Sequence, residues 1–151
     1  MEPRIQFVRT SDGIDVAYWE LGQGPVLVSV SLPSSHVQRE WQMPGWRAVF
    51  ESVAQFWRFV RYDPRGLGLS NRDVEEFSID ALVRDLEAVV DRLGVPSVQL
   101  MGLAMGGAVA LAYAARHPDR VSHLVIFDGF ERGAEATNPK LAALSELARE
   151  D

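Results

Sequence analysis

The sequence predicts an α/β fold of three layers, a mostly parallel sheet with helices on both faces. Three observations predict it. Short apolar runs with strand character alternate with longer stretches whose apolar residues recur at helical spacing. The run Val26 to Val30 is apolar almost throughout, as a strand covered on both sides requires. The stretch Ser97 to His117 passes from an apolar run, Val98 to Met101, through a sharp turn on Gly102 into a small-residue helix from about Met105 to Arg116.

The elements follow in order. Ile5 to Arg9 and Ile14 to Glu20 read as strands joined by a turn at Ser11-Asp12-Gly13. Gly22 to Pro25 is a loop, and Val26 to Val30 is the third strand. Trp46, Val49, Phe50 and Val53 repeat at helical spacing, which predicts a helix over Pro44 to Gln55 with proline near its start. Trp57 to Tyr62 is the next strand. The loop Asp63-Pro-Arg-Gly-Leu-Gly-Leu-Ser70 invites comparison with a phosphate-binding loop. It has neither Gly-Lys-Ser/Thr nor a full G-x-G-x-x-G, so Asp63 and Arg65 are expected to hold their own loop together.

Ser78 is a good N-cap for a helix that carries Asp80 in its first turn. Ile79, Leu82, Val83, Leu86, Val89, Val90 and Leu93 form one apolar stripe along it, and Gly94 and Pro96 end it. After the turn at Gly102, the alanines at 108, 110, 112, 114 and 115 allow the following helix to pack close to the sheet. Val121 to Phe127 is a sixth strand. A last helix is expected within Gly133 to Asp151, where Leu141, Leu144 and Leu147 keep helical spacing.

Composition narrows the function. The chain has 151 residues, enough for one domain with a real core, and a net charge of −6. Its positive charge is nearly all arginine, spread along the sequence, which leaves no nucleic-acid footprint. No apolar run is long enough to span a membrane, and Met1-Glu-Pro-Arg lacks the basic-then-apolar pattern of a signal peptide. The absence of cysteine excludes disulfides and thiolate metal sites and fits a cytoplasmic location. No two His or acid positions have ligand spacing, so no metal is expected, and no motif calls for a cofactor.

A strand, a tight glycine turn and a helix lift one side chain above the edge of a sheet. In a G-x-S-x-G nucleophile elbow that side chain is serine. Here the five residues are Gly102-Leu103-Ala104-Met105-Gly106. The glycines are in place and the centre is alanine, whose methyl group neither attacks a carbonyl nor moves a proton. Together with Phe7 to Gly13, Arg61 to Ser70 and Ala114 to Val125, this stretch resembles the N-terminal part of an α/β-hydrolase. More narrowly, the chain is similar to the hydrolase-like domains found beside bacterial adenylate/guanylate cyclases and in LuxR-type regulators.

The resemblance implies a single α/β-hydrolase-like domain over residues 1–151, truncated after about six strands, without the last two strands and the cap. It assigns Ala104 to the nucleophile position and the Met105 amide to the oxyanion hole. Aligned on Ser35-His36 and Trp41, it puts Pro33 at the second oxyanion-donor position, where a proline has no N–H to give. Losing one such donor costs about 10²–10³ in rate. Pro33, Ser34, His36, Leu103 and Met105 are the expected binding residues, and Asp128, at the end of its strand, is a candidate acid. His117 and His123 read as structural, and no late histidine completes a triad. Ser34, Ser35 and Ser70 lack a base in register to activate them.

Three functions follow for testing. One is a catalytically inactive domain that senses a small apolar ligand or ester, or binds a partner. A second is a fragment, or a nucleophile-replaced form, of a serine ester hydrolase. The third is an assembly role, since an open edge at Val121 to Phe127 would pair with a second copy or a complementary chain.

Overall fold

A computed structural model describes residues 2–128 and places six strands in one sheet. They are β1 (Gln6–Arg9), β2 (Asp15–Leu21), β3 (Val26–Leu32), β4 (Arg58–Tyr62), β5 (Val98–Ala104) and β6 (Val121–Phe127). The helices are α1 (Val37–Gln42), α2 (Pro44–Val53), α3 (Ile79–Leu93) and α4 (Gly106–Arg116). The sheet order is β1-β2-β4-β3-β5-β6. β1 pairs antiparallel with β2, and β2 antiparallel with β4. The β4–β3, β3–β5 and β5–β6 pairs are parallel, which is the mostly parallel sheet that the sequence predicts.

Alternation along the strands sends successive side chains to opposite faces. On β4, Val60 and Tyr62 pack under α3 and α4 with Val28, Val30, Leu86, Leu100 and Val109. Phe59 faces the other way, into a smaller cluster of Trp19, Val37, Trp41 and Phe50 beneath α1 and α2. Trp19 is its centre: edge-to-face contacts join it to Trp41, Phe50 and Phe59, and its indole N–H donates to the Val37 carbonyl at 3.2 Å. Such aromatic pairs add about 0.5–1.5 kcal/mol each beyond area burial.

Several boundaries move from their predicted places. β3 runs two residues past Val30, and β5 runs on to Ala104 rather than stopping at Met101. The ladder between them continues to the Leu32–Ala104 pair, so hydrogen bonding to a neighbour extends both strands beyond their apolar runs. Accordingly α4 starts at Gly106, after the turn. α2 ends at Val53, short of Gln55. α1 is an element the sequence did not suggest. It is only six residues long, too short to show a period, and its N-cap is a histidine. His36 Nδ1 accepts from the Arg39 amide at 3.4 Å while Glu40 accepts from the His36 amide at 3.2 Å, a reciprocal arrangement akin to a capping box. α3 begins as predicted, with Ser78 Oγ accepting from the Ala81 amide at 3.1 Å.

The loop between β4 and α3 is held by the two residues that the sequence singled out for that task. The Asp63 carboxylate, fully buried, accepts from Ser35 Oγ at 2.8 Å and from the amides of Val37 and Leu69 at 2.9 Å each. Arg65 spans three elements. It donates to Asp85 on α3 through its amide, Nε and Nη2, and to Asp12 in the β1–β2 turn through Nη1 and Nη2. Burial pushes the Asp85 carboxyl upward, and the Arg65 bonds oppose that push. The helix expected after residue 133 lies outside the described residues. Among the described residues β6 pairs with β5 alone, and its Val125, Ile126 and Phe127 are exposed.

Two outcomes are expected. Asp85→Ala leaves the Arg65 guanidinium buried without its main partner and lowers unfolding stability by about 3–5 kcal/mol, measured by urea titration. Asp12 gives a pH signature. The Arg65 guanidinium beside it holds its carboxyl well below the usual carboxylate range. A folded-state value below the unfolded one, about 3.9, stabilises the fold above that pH and is lost as pH falls toward the folded value. Asp12→Asn should therefore lower Tm at pH 6, and the gap between variant and wild type should narrow steadily below about pH 4. A gap that stays constant to pH 2 would count against the assignment.

Candidate functional site

The site is built where β5 turns into α4. Ala104, the last residue of β5, has φ of +50°, in the left-handed region that costs an alanine about 1–2 kcal/mol. The turn is held there by close packing. A Cβ on Gly106 would lie 2.1 Å from the Val30 carbonyl oxygen, and one on Gly102 would lie 2.6 Å from Gly107 Cα. The helix therefore starts pressed against β3, and the chain leaves β5 through a strained apex. The residue lifted at that apex presents a methyl group.

The apex opens on a cleft of about 580 Å³, between the carboxyl ends of β3, β4 and β5 and helices α1 and α2. That volume falls within the usual range for small-molecule sites. Of the residues picked out in the sequence, Pro33, Ser34, His36, Leu103 and Ala104 line it together. Leu32 pairs in register with Ala104, which brings the Pro33–His36 loop to the apex. Pro33 offers no N–H there.

Two expected site residues do not join them. Met105, the N-cap of α4, follows the apex directly; its half-exposed side chain is outside the cleft lining, which leaves the role expected of its backbone amide untouched. Asp128 follows β6, which β5 separates from β3, and it also lies outside the lining. The open sheet sets the Asp128 outcome: the cleft sits over β3 to β5, and a residue one strand further out misses it.

The histidines offer no base to the apex. His36 lines the cleft, but its Nδ1 is the acceptor in the α1 cap. A neutral imidazole has one acceptor and one donor nitrogen, and in this cap Nδ1 is the acceptor. His117 pairs with Glu87 at 2.8 Å and packs on Tyr113 at the far end of α4. His123 is exposed on β6. Among the described residues no group of three His, Cys, Asp or Glu side chains is placed to hold a metal ion. No described helix is long and apolar enough to cross a membrane.

The cleft floor holds a polar cluster that the sequence reading passed over. Arg61 on β4 is 4% exposed. Its Nη1 donates to Ser31 Oγ at 2.7 Å and Ser29 Oγ at 3.3 Å, and its Nε and Nη2 donate to Glu40 on α1 at 3.2 and 2.5 Å. The signal was present. Ser29 and Ser31 are two apart in the otherwise apolar Val-Leu-Val-Ser-Val-Ser-Leu, and that period puts both on one face of a buried strand.

An open, mostly parallel sheet with a glycine-packed elbow at its carboxyl edge defines a class of α/β proteins whose sites sit above that edge. Comparison with known proteins names the class. The chain belongs to the alpha/beta hydrolase fold family, whose sequence pattern matches residues 25–149. It is 34% identical over 128 residues to the putative carbamate hydrolase RutD of Caulobacter segnis, covering 82% of this chain and 45% of that protein. It is 31% identical over 112 residues to the AB hydrolase superfamily protein YisY of Bacillus subtilis, covering 74% and 40%. Its structure superposes on that of the epoxide hydrolase VrEH1 from Vigna radiata with a TM-score of 0.71 and 26% identity, over 83% of this chain and 39% of that one. The chain thus spans less than half the length of these relatives.

The packing at the elbow makes a direct prediction. Gly106→Ala drives a methyl group into the Val30 carbonyl and should destabilise the fold by about 3 kcal/mol, read as a drop in the urea midpoint at unchanged slope. A variant as stable as wild type would show that the elbow is not held by this contact.

Proposed function

We propose that this chain uses the cleft at the elbow to bind a small molecule without hydrolysing it, as a sensing or partner-signalling domain would. The observation that carries the reading is Ala104: a methyl group at φ +50°, on the apex that this fold builds for a nucleophile. Two further features support it. Pro33 gives no N–H at the cleft, and His36, spent on capping α1, gives no base. An acyl-transfer site needs a nucleophile, a base within reach and oxyanion donors, and the described residues bring no complete set together. The cleft itself is well formed, with an apolar wall of Trp46, Val49, Phe50 and Leu103.

The second reading is a nucleophile-replaced ester hydrolase. The glycine packing at 102 and 106 favours it, as do relatives that are named hydrolases.

Ala104→Ser, made in the full-length protein, separates the two. With p-nitrophenyl acetate as substrate, the variant should release p-nitrophenolate no faster than wild type, because a serine without a base stays protonated. A burst stoichiometric with protein, from a variant with unchanged circular dichroism, would overturn the sensing proposal and support the replaced-hydrolase reading.

A further inference from the structure

We infer that the cleft is selective for an apolar molecule carrying one carboxylate, whose anionic end sits against Arg61; the inference rests on the ligand-binding reading above and gives it a chemical class. The argument begins with donor accounting. Of the five N–H groups of a guanidinium, four on Arg61 meet Glu40, Ser29 and Ser31. The remaining one, on Nη2, has no acceptor among the described residues. A buried N–H left unmade is costly, and an incoming carboxylate oxygen satisfies it.

Charge points the same way. Arg39 and Arg61 both line the cleft, and Glu40 is the one acid among the lining residues. Glu40 is already bonded to Arg61, and Arg39 makes no ion pair among the described residues. Among the lining side chains alone the cations exceed the acid by one, on a chain whose net charge is −6; the buried Asp63 carboxylate, bonded to Ser35, lies behind the lining. Low-dielectric walls strengthen that local field, and a single excess charge matches a monoanion. A cationic ligand is disfavoured for the same reason.

Register locates the anion. Arg61 is paired with Ser29, Ser31 with Leu103, and Leu32 with Ala104. A guanidinium bonded to Ser31 thus lies about one strand residue, roughly 3.3 Å along β3, short of the apex row. A carboxylate beside it rests on the floor near Ala104, and an alkyl body rises along Trp46, Val49 and Phe50 on α2. A serine hydroxyl at 104 would intrude on this space; a methyl group leaves it open.

Octanoate and its neutral isostere octanamide form the test, titrated into the 151-residue chain by calorimetry at low salt. Octanoate should bind about tenfold more tightly than octanamide, the scale of one hydrogen bond to a charged group. Glu40→Gln removes the competing carboxylate, keeps Arg61 in place, and should tighten octanoate further while leaving octanamide unchanged. Arg61→Met should abolish the preference for octanoate. If that variant fails to fold, Glu40→Gln carries the decision. Equal binding of octanoate and octanamide to the wild type, or no gain with Glu40→Gln, would overturn the carboxylate inference while leaving a ligand cleft in place. If neither compound binds, the ligand-binding reading fails and this inference fails with it.

Discussion

The start of α4 lies against β3 with no room for a side chain between them. Gly106 stands where any Cβ would collide with the Val30 carbonyl, and Gly102 stands where one would collide with Gly107. That steric constraint determines the turn out of β5, because a helix seated so close to the sheet is reached only through a sharp change of direction. Ala104 absorbs the change by adopting a positive φ. The position of the apex, the reach of the Pro33–His36 loop to it through the Leu32–Ala104 pair, and the floor of the cleft all follow from this one contact.

Two arginines four residues apart divide the remaining work. Arg65 is consumed by structure: Asp85 and Asp12 hold it, and with Asp63 it pins the loop after β4 to the first turn and to α3. Arg61 points to the opposite side of the sheet region, under α1, and meets a carboxylate, two serines and an open cleft. Buried arginines of similar exposure thus differ in what surrounds them. Arg65 is closed in by its own chain, while Arg61 also lines the cleft.

Strain at the apex is retained although the side chain it displays is inert. A positive φ at a non-glycine residue is maintained only when the surroundings over-determine it. Here the surroundings are the glycine contacts, which act whether residue 104 bears a hydroxyl or a hydrogen. The packing that builds the elbow does not involve the atom that would do the reaction.

The sequence by itself determined the order of strands and helices, the glycine turn and the identity of the apex residue. Each depends on local facts: apolar spacing, a serine cap at Ser78, glycines at fixed offsets. It also marked Asp63 and Arg65 as loop-holding residues from their place in a turn after a strand. It missed α1, whose cap is a histidine and whose length hides any period, and it placed the ends of β3 and β5 too early, since those residues are strand only because each has the other beside it. Only the tertiary structure decided that Arg61 meets Glu40, twenty-one positions away, and that Asp128 and Met105 fall outside the cleft that Pro33, Ser34, His36, Leu103 and Ala104 share. The physical reason is that pairing between strands and the seating of a helix over a sheet bring together residues with no local pattern in common, and the cleft is made of such meetings.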